Sequence, residues 1–143
     1  MRLSALLLAV LSLFAITTTA LARSAPLVDP DPIAIPAGLT QEQVVKDIKR
    51  ALISEVAKMV GGMHRAGVNH RDCYICHFLL HTDKPVTAED FRLSVIDLHR
   101  AQTRVSITRR WRDKDLAALY FSALDIGLTR RDKLRFLRSY FRQ

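Results

Sequence analysis

Apolar residues recur at three- and four-residue steps over one long stretch of this chain and gather in short runs elsewhere. Val45, Ile48, Leu52, Val56, Met59, Val60 and Met63 keep the helical step, which predicts a helix with one buried stripe. Lys46, Lys49, Arg50, Glu55 and Lys58 fall mostly on its other side. Thr40-x-x-Gln43 has the form of a capping box and opens it. Gly61-Gly62 weakens its last turns, and Gly67 is the expected stop. About 26 residues of helix extend roughly 39 Å, enough to back a whole domain. The methionines on it read as core filler. Ile75 to Leu80 is a short apolar run suited to a strand, and Thr82 to Asp90 is a polar loop containing Pro85. Leu93 to Asp97 alternates weakly and predicts a second buried strand ending in a carboxylate. The two strands form a hairpin whose turn would bring Asp72 and Asp97 to one end. Leu98 to Arg110 has no clear period and reads as irregular. Asp113 to Leu124 predicts a helix with Leu116, Leu119, Tyr120 and Ala123 on one face. Thr129-x-x-Asp132 starts a last helix, with Leu134, Leu137, Tyr140 and Phe141 inward. Its arginines, Arg130, Arg131, Arg135, Arg138 and Arg142, face mostly outward.

The first residues follow another rhythm. Arg2, the apolar run Leu3 to Ile16 and the small-x-small site Ala20-Leu21-Ala22 read as a secretory leader over residues 1–22. Pro26, Pro30, Pro32 and Pro36 fall within residues 23–39. Their fixed φ and missing N–H groups predict an extended linker there. Residues 40–143 then form one domain with a modest core, as a chain of 143 residues allows. The net charge of +8 is concentrated between Arg100 and Arg142 and favours an anionic partner. Both cysteines lie in one tetrapeptide, which excludes a multi-bridge disulfide framework.

Two motifs overlap at Val68-Asn69-His70-Arg71-Asp72-Cys73-Tyr74-Ile75-Cys76-His77. Read alone, Cys73-x-x-Cys76-His77 is the attachment site of a c-type haem, with His77 as proximal ligand. The leader agrees with it. Against it, no methionine follows Met63, so His81 or His99 would have to be the sixth ligand. The haem reading also leaves His70-Arg71-Asp72 and Val95-Ile96-Asp97 unexplained. Zinc on the cysteines with His70, His77 or His81 would be cramped. Phosphoryl transfer accounts for more of the pattern. It needs one carboxylate to accept the nucleophile's proton, and a second with a polar ligand to hold Mg²⁺ against nucleotide phosphates. Asp72 is the candidate base. Asp97, at the end of an apolar strand, is the candidate metal carboxylate, with His77 as its companion.

From about Ala51 onward the chain closely resembles the lipopolysaccharide core heptose (I) kinases of Gram-negative bacteria. The stretches His64 to Leu80, Leu93 to Gln102, Arg109 to Phe121 and Ile126 to Asp132 carry the resemblance. It implies a mainly α fold with a small β-hairpin, the C-terminal lobe of a protein-kinase-like enzyme. It implies transfer of the γ-phosphate of ATP to the first heptose of the inner core. Asp72 would then be the catalytic base, with Asp97 and His77 holding Mg²⁺, and the cysteines would be ordinary family residues. The implied partners are an anionic lipopolysaccharide acceptor and the inner-membrane surface, not nucleic acid. The implied location is cytoplasmic and peripheral to that membrane, whereas the leader alone implies export.

The resemblance does not extend to an amino-terminal lobe. Gly38, Gly61, Gly62, Gly67 and Gly127 form no phosphate-covering cluster, and no residue is assigned to binding the nucleotide itself. The expectation is a kinase-like C-terminal lobe whose amino-terminal lobe is missing, with little or no kinase activity on its own. A non-catalytic, basic lipopolysaccharide-binding module is the reading of a different class.

Overall fold

The computed structural model describes Ile33 and residues 35–142. The leader and most of the linker lie outside the described residues. Helix α1 spans Gln41–Arg65. The Thr40 hydroxyl accepts from the Gln43 N–H, and the Gln43 side chain accepts from the Thr40 N–H. Two of the helix's orphan donors are satisfied in this way. The buried seam is Val44, Ile48, Val56, Ala57, Val60, Gly61 and His64. It keeps the four-residue step, so Val45, Met59 and Met63 sit on its half-buried shoulder. Gly61 is a contact point rather than a weak one. A Cβ there would come within 3.0 Å of the Tyr140 carbonyl oxygen.

The chain turns at Gly67, whose φ is +80°. A Cβ at Gly67 would lie 2.0 Å from the Arg104 carbonyl oxygen, so only glycine lets the two backbones meet. There the Arg104 N–H donates to the Gly67 carbonyl at 2.7 Å. Next to this contact, β1 (Val68–Asn69) pairs antiparallel with β4 (Gln102–Thr103). The expected hairpin is β2 (Phe78–Leu80) against β3 (Leu93–Val95), with Phe78 opposite Val95 and Leu80 opposite Leu93. The first half of the predicted strand is instead a 3₁₀ turn, Ile75–His77. Another 3₁₀ turn, Leu98–Arg100, and then β4 replace much of the expected irregular segment.

Helix α2 runs Arg109–Ser122 and begins a turn earlier than its apolar pattern shows. That first turn carries Trp111, its ring covered by the Arg104, Arg110 and Lys114 cations at 5.0–5.7 Å. Leu119 and Ala123 are buried, and Tyr120 stays half exposed. Helix α3 spans Arg130–Phe141 behind a second capping box, Thr129 with Asp132. Its inward face departs from expectation. Tyr140 is buried and Phe136 packs beside it, while Leu134, Leu137 and Phe141 are 44 %, 43 % and 71 % exposed. α3 lies along α1 and meets it at Tyr140 and Gly61, so the apolar residues on its far side stay partly exposed.

The main core joins Val56, Ala57, Val60, Cys73, Phe78, Leu119 and Tyr140. A smaller cluster of Val44, Ile48 and Val86 takes in Ile33, whose backbone bridges to Val86. At that point the proline-rich segment is docked rather than free. Among the described residues no helix is long and apolar enough to cross a membrane.

Candidate active site

The stretch after β1 carries the site. Asn69 and His70 are fully buried, and Arg71 adopts a left-handed φ of 73°, a conformation that costs a non-glycine residue free energy. Asp115, on α2 and 1 % exposed, holds the turn in place. Its Oδ1 accepts the Arg71 N–H at 2.9 Å, and its Oδ2 accepts the His70 N–H at 2.7 Å. Oδ2 also lies 3.1 Å from His64 Nε2. Burial alone would raise this carboxyl's pKa. The hydrogen bonds from His64 and the two backbone amides, with the attraction of His64, outweigh burial and hold it below the usual carboxylate range.

Asp72 follows, with one carboxylate oxygen 2.9 Å from the Arg100 guanidinium. Its backbone carbonyl accepts from His77 Nδ1 at 2.7 Å. A carbonyl only accepts, so Nδ1 carries the proton. In the neutral ring His77 Nε2 is then a lone pair, and it faces Asp97 Oδ2 at 3.3 Å. Two acceptors in that position require a proton or a cation between them. The gap is close to the separation of about 3.0 Å between adjacent donors of an octahedral Mg²⁺. Donation of the other ring N–H to a carbonyl is also how metal-binding histidines are oriented. The His77 and Asp97 pair thus fits a magnesium ion whose remaining ligands would be phosphate oxygens and water. Among the described residues no cluster of three or more His, Cys, Asp or Glu side chains is placed to enclose a metal.

His70 ties the two halves together. Its Nε2 donates to the Ile96 carbonyl at 3.0 Å, and its ring stacks on that of His77, with centroids 5.5 Å apart. Asp97 is itself left-handed, with φ 62°, and its second carboxylate oxygen pairs with His99. The structure thus sets Asp97 against the His77 ring and ties that ring to the Asp72 backbone. Asp97 and His77 meet at the open end of the β2–β3 hairpin, where the Ile96 N–H donates to the His77 carbonyl at 2.9 Å. The connecting turn lies at the opposite end.

The cysteines part company. Cys73 is fully buried in the main core, whereas Cys76 is exposed, and both are free. Burial, and then the Asp115 charge, push the Cys73 thiol's pKa far up. A protonated thiol inside the core neither binds zinc nor offers itself beside Cys76 for a second thioether.

Sequence reasoning missed Asp115, His64 and Arg100 as parts of the site. His64 is four residues after Val60 on the α1 seam, and Asp115 is four before Leu119. Both positions were open to the same helical count that found their apolar neighbours.

A left-handed loop bearing a carboxylate, a hairpin ending in a second one and an α-helical base beneath them define the C-terminal lobe of a protein-kinase-like fold. More specifically, the chain belongs to the lipopolysaccharide kinase (Kdo/WaaP) family, whose model matches residues 34–140. It is 83 % identical over 96 residues to the lipopolysaccharide core heptose(I) kinase WaaP of Pseudomonas aeruginosa, covering 67 % of this chain and 36 % of that protein. It is 62 % identical over 94 residues to the WaaP of Escherichia coli, covering 66 % of this chain and 36 % of that protein. A solved structure of WaaP in complex with acyl carrier protein superposes with a TM-score of 0.67 at 82 % identity. That match covers 68 % of this chain and 41 % of the other. The chain thus spans about a third of the length of the curated relatives it matches. Among the described residues no sheet exceeds two strands, so the strand-rich, nucleotide-covering lobe of a whole kinase is not among them.

Proposed function

We propose that this chain carries the acceptor-side half of an ATP-dependent kinase for the first heptose of the lipopolysaccharide inner core. The observation that carries the reading is His77 Nε2 facing Asp97 Oδ2 at 3.3 Å, beside a second carboxylate, Asp72, on a rigidly held loop. Asp72 accepts the proton of the attacking sugar hydroxyl. Arg100 engages one oxygen of Asp72, which keeps the carboxylate oriented and leaves its other oxygen for the hydroxyl. Asp97 and His77 would hold Mg²⁺, which would supply positive charge to the phosphate oxygens. His70 fixes the spacing of the two acidic residues through the Ile96 carbonyl. The high identity of a matching WaaP segment supports the choice of acceptor.

The test is a chimera. The matching segment of the Pseudomonas aeruginosa relative is replaced by that of this chain, and γ-phosphate transfer to lipopolysaccharide is measured. The chimera turns over, and Asp72→Asn lowers its kcat about a thousandfold. Full turnover by Asp72→Asn would remove Asp72 from the role of base. Lipopolysaccharide binding retained by a chimera that never transfers phosphate would favour the non-catalytic module instead.

We further propose a cytoplasmic site of action at the inner-membrane surface, supported by the basic C-terminal helices. A second partner is suggested by the solved relative, which is in complex with acyl carrier protein. In this chain an apolar cavity of about 990 Å³, lined by residues such as Leu52, Val56, Leu79, Leu119 and Phe136, has the size and chemistry to take an acyl chain.

A further inference from the structure

We propose that Tyr140 and His64 are positioning residues for the loop that carries Asp72. A buried hydrogen-bond chain runs from α3 through both side chains to Asp115 and sets the left-handed turn at Arg71. That Asp72 is a base rests on the reading above; the geometry of the loop does not.

The chain can be followed atom by atom. The Tyr140 hydroxyl lies 2.7 Å from His64 Nδ1, and His64 Nε2 lies 3.1 Å from Asp115 Oδ2. An ionised carboxylate only accepts, so Nε2 carries the proton and donates to Asp115. In the neutral tautomer Nδ1 then accepts, and the phenol donates to it. Every polar atom of the relay has a partner, as a buried network requires. All three residues are buried. The His64 and Tyr140 rings meet edge to face, centroids 5.8 Å apart.

Direction follows from what each link fixes. Tyr140 cannot drift, because its own carbonyl sits against Gly61, one turn before His64. The Asp115 carboxylate fixes which His64 nitrogen is protonated, and the phenol fixes how the ring is turned. His64 in turn holds Oδ2 of Asp115, which leaves Oδ1 aimed at the Arg71 N–H. Rotation of that carboxylate would release the Arg71 amide, and with it the left-handed φ of 73° that turns Asp72 toward Arg100 and His77. The C-terminal helix is thereby linked to the candidate base through side chains that touch neither substrate nor metal.

The test is Tyr140→Phe, which removes one hydroxyl and keeps the ring, read by amide hydrogen exchange on the intact chain. The His70 and Arg71 amides exchange about tenfold faster, while the α1 core amides of Ala57 and Val60 hold their wild-type rates. Unchanged His70 and Arg71 rates would overturn the proposal. So would a uniform rise at all amides, which marks a merely structural role. If the variant does not fold, the nitrogen-15 resonances of wild-type His64 decide. Protonated Nε2 with an accepting Nδ1 supports the relay, and protonated Nδ1 with unprotonated Nε2 overturns it. In the chimeric kinase, Tyr140→Phe lowers kcat with the acceptor KM unchanged. An inactive chimera with the exchange result intact would sink the kinase reading alone.

Discussion

Asp115 is the residue on which the site geometry rests. Its carboxylate receives two backbone amides and one imidazole inside the core. Asp115→Asn would turn an amide N–H toward donors and leave at least one of them unpaired. The expected loss is about 3 kcal/mol in unfolding free energy, measured by urea titration. The pH dependence has a defined sign. The folded pKa is lowered, so the stabilisation is fully present above the unfolded value of about 3.9 and fades as pH falls through the folded value. The gap between wild type and Asp115→Asn should therefore close below about pH 4. A gap constant from neutral to acid pH would contradict the assigned charge. Cys73 makes the opposite case at the same scale. It looks like half of a reactive pair in the sequence, and burial makes it a core atom. Alkylation of the native chain should modify Cys76 and spare Cys73 until the protein unfolds.

At the scale of elements, local chemistry was legible and close approaches were not. Both capping boxes, Thr40 with Gln43 and Thr129 with Asp132, are visible because they are satisfied within four residues. The β2–β3 hairpin is visible from its apolar runs. The β1–β4 ladder is not, since two-residue strands have no period to detect. It depends on Gly67, which meets Arg104. Gly67→Ala would bring a Cβ to 2.0 Å of a carbonyl oxygen at positive φ. The variant should lose about 3 kcal/mol or more, with amide protection lost first at the Gly67–Arg104 contact. Gly61→Ala sets two effects against each other. Alanine favours a helix interior by about 1 kcal/mol, but its Cβ would press on the Tyr140 carbonyl at 3.0 Å. Separating two packed helices costs more than the propensity returns, so Gly61→Ala should lower Tm.

At the scale of the molecule, charge and exposed apolar surface act together. The outer side of α3 presents Leu134, Leu137 and Phe141 beside Arg130, Arg138 and Arg142, all exposed. A cationic flank on an apolar stripe suits an anionic lipid surface. The chain should sediment with vesicles containing phosphatidylglycerol and be released as salt rises, because exposed charges are screened within about 8 Å at physiological ionic strength. Equal binding to neutral vesicles would contradict that reading.

The sequence by itself determined the three helices, the starts of the first and the last, and the hairpin, because each is written in neighbours a few positions apart. Only the tertiary structure decided which face of α3 is covered, that Cys73 is inert, and that a carboxylate more than forty positions downstream holds the left-handed turn before Asp72. Those outcomes depend on which surfaces touch. Contact between distant segments leaves no period in the chain that makes it.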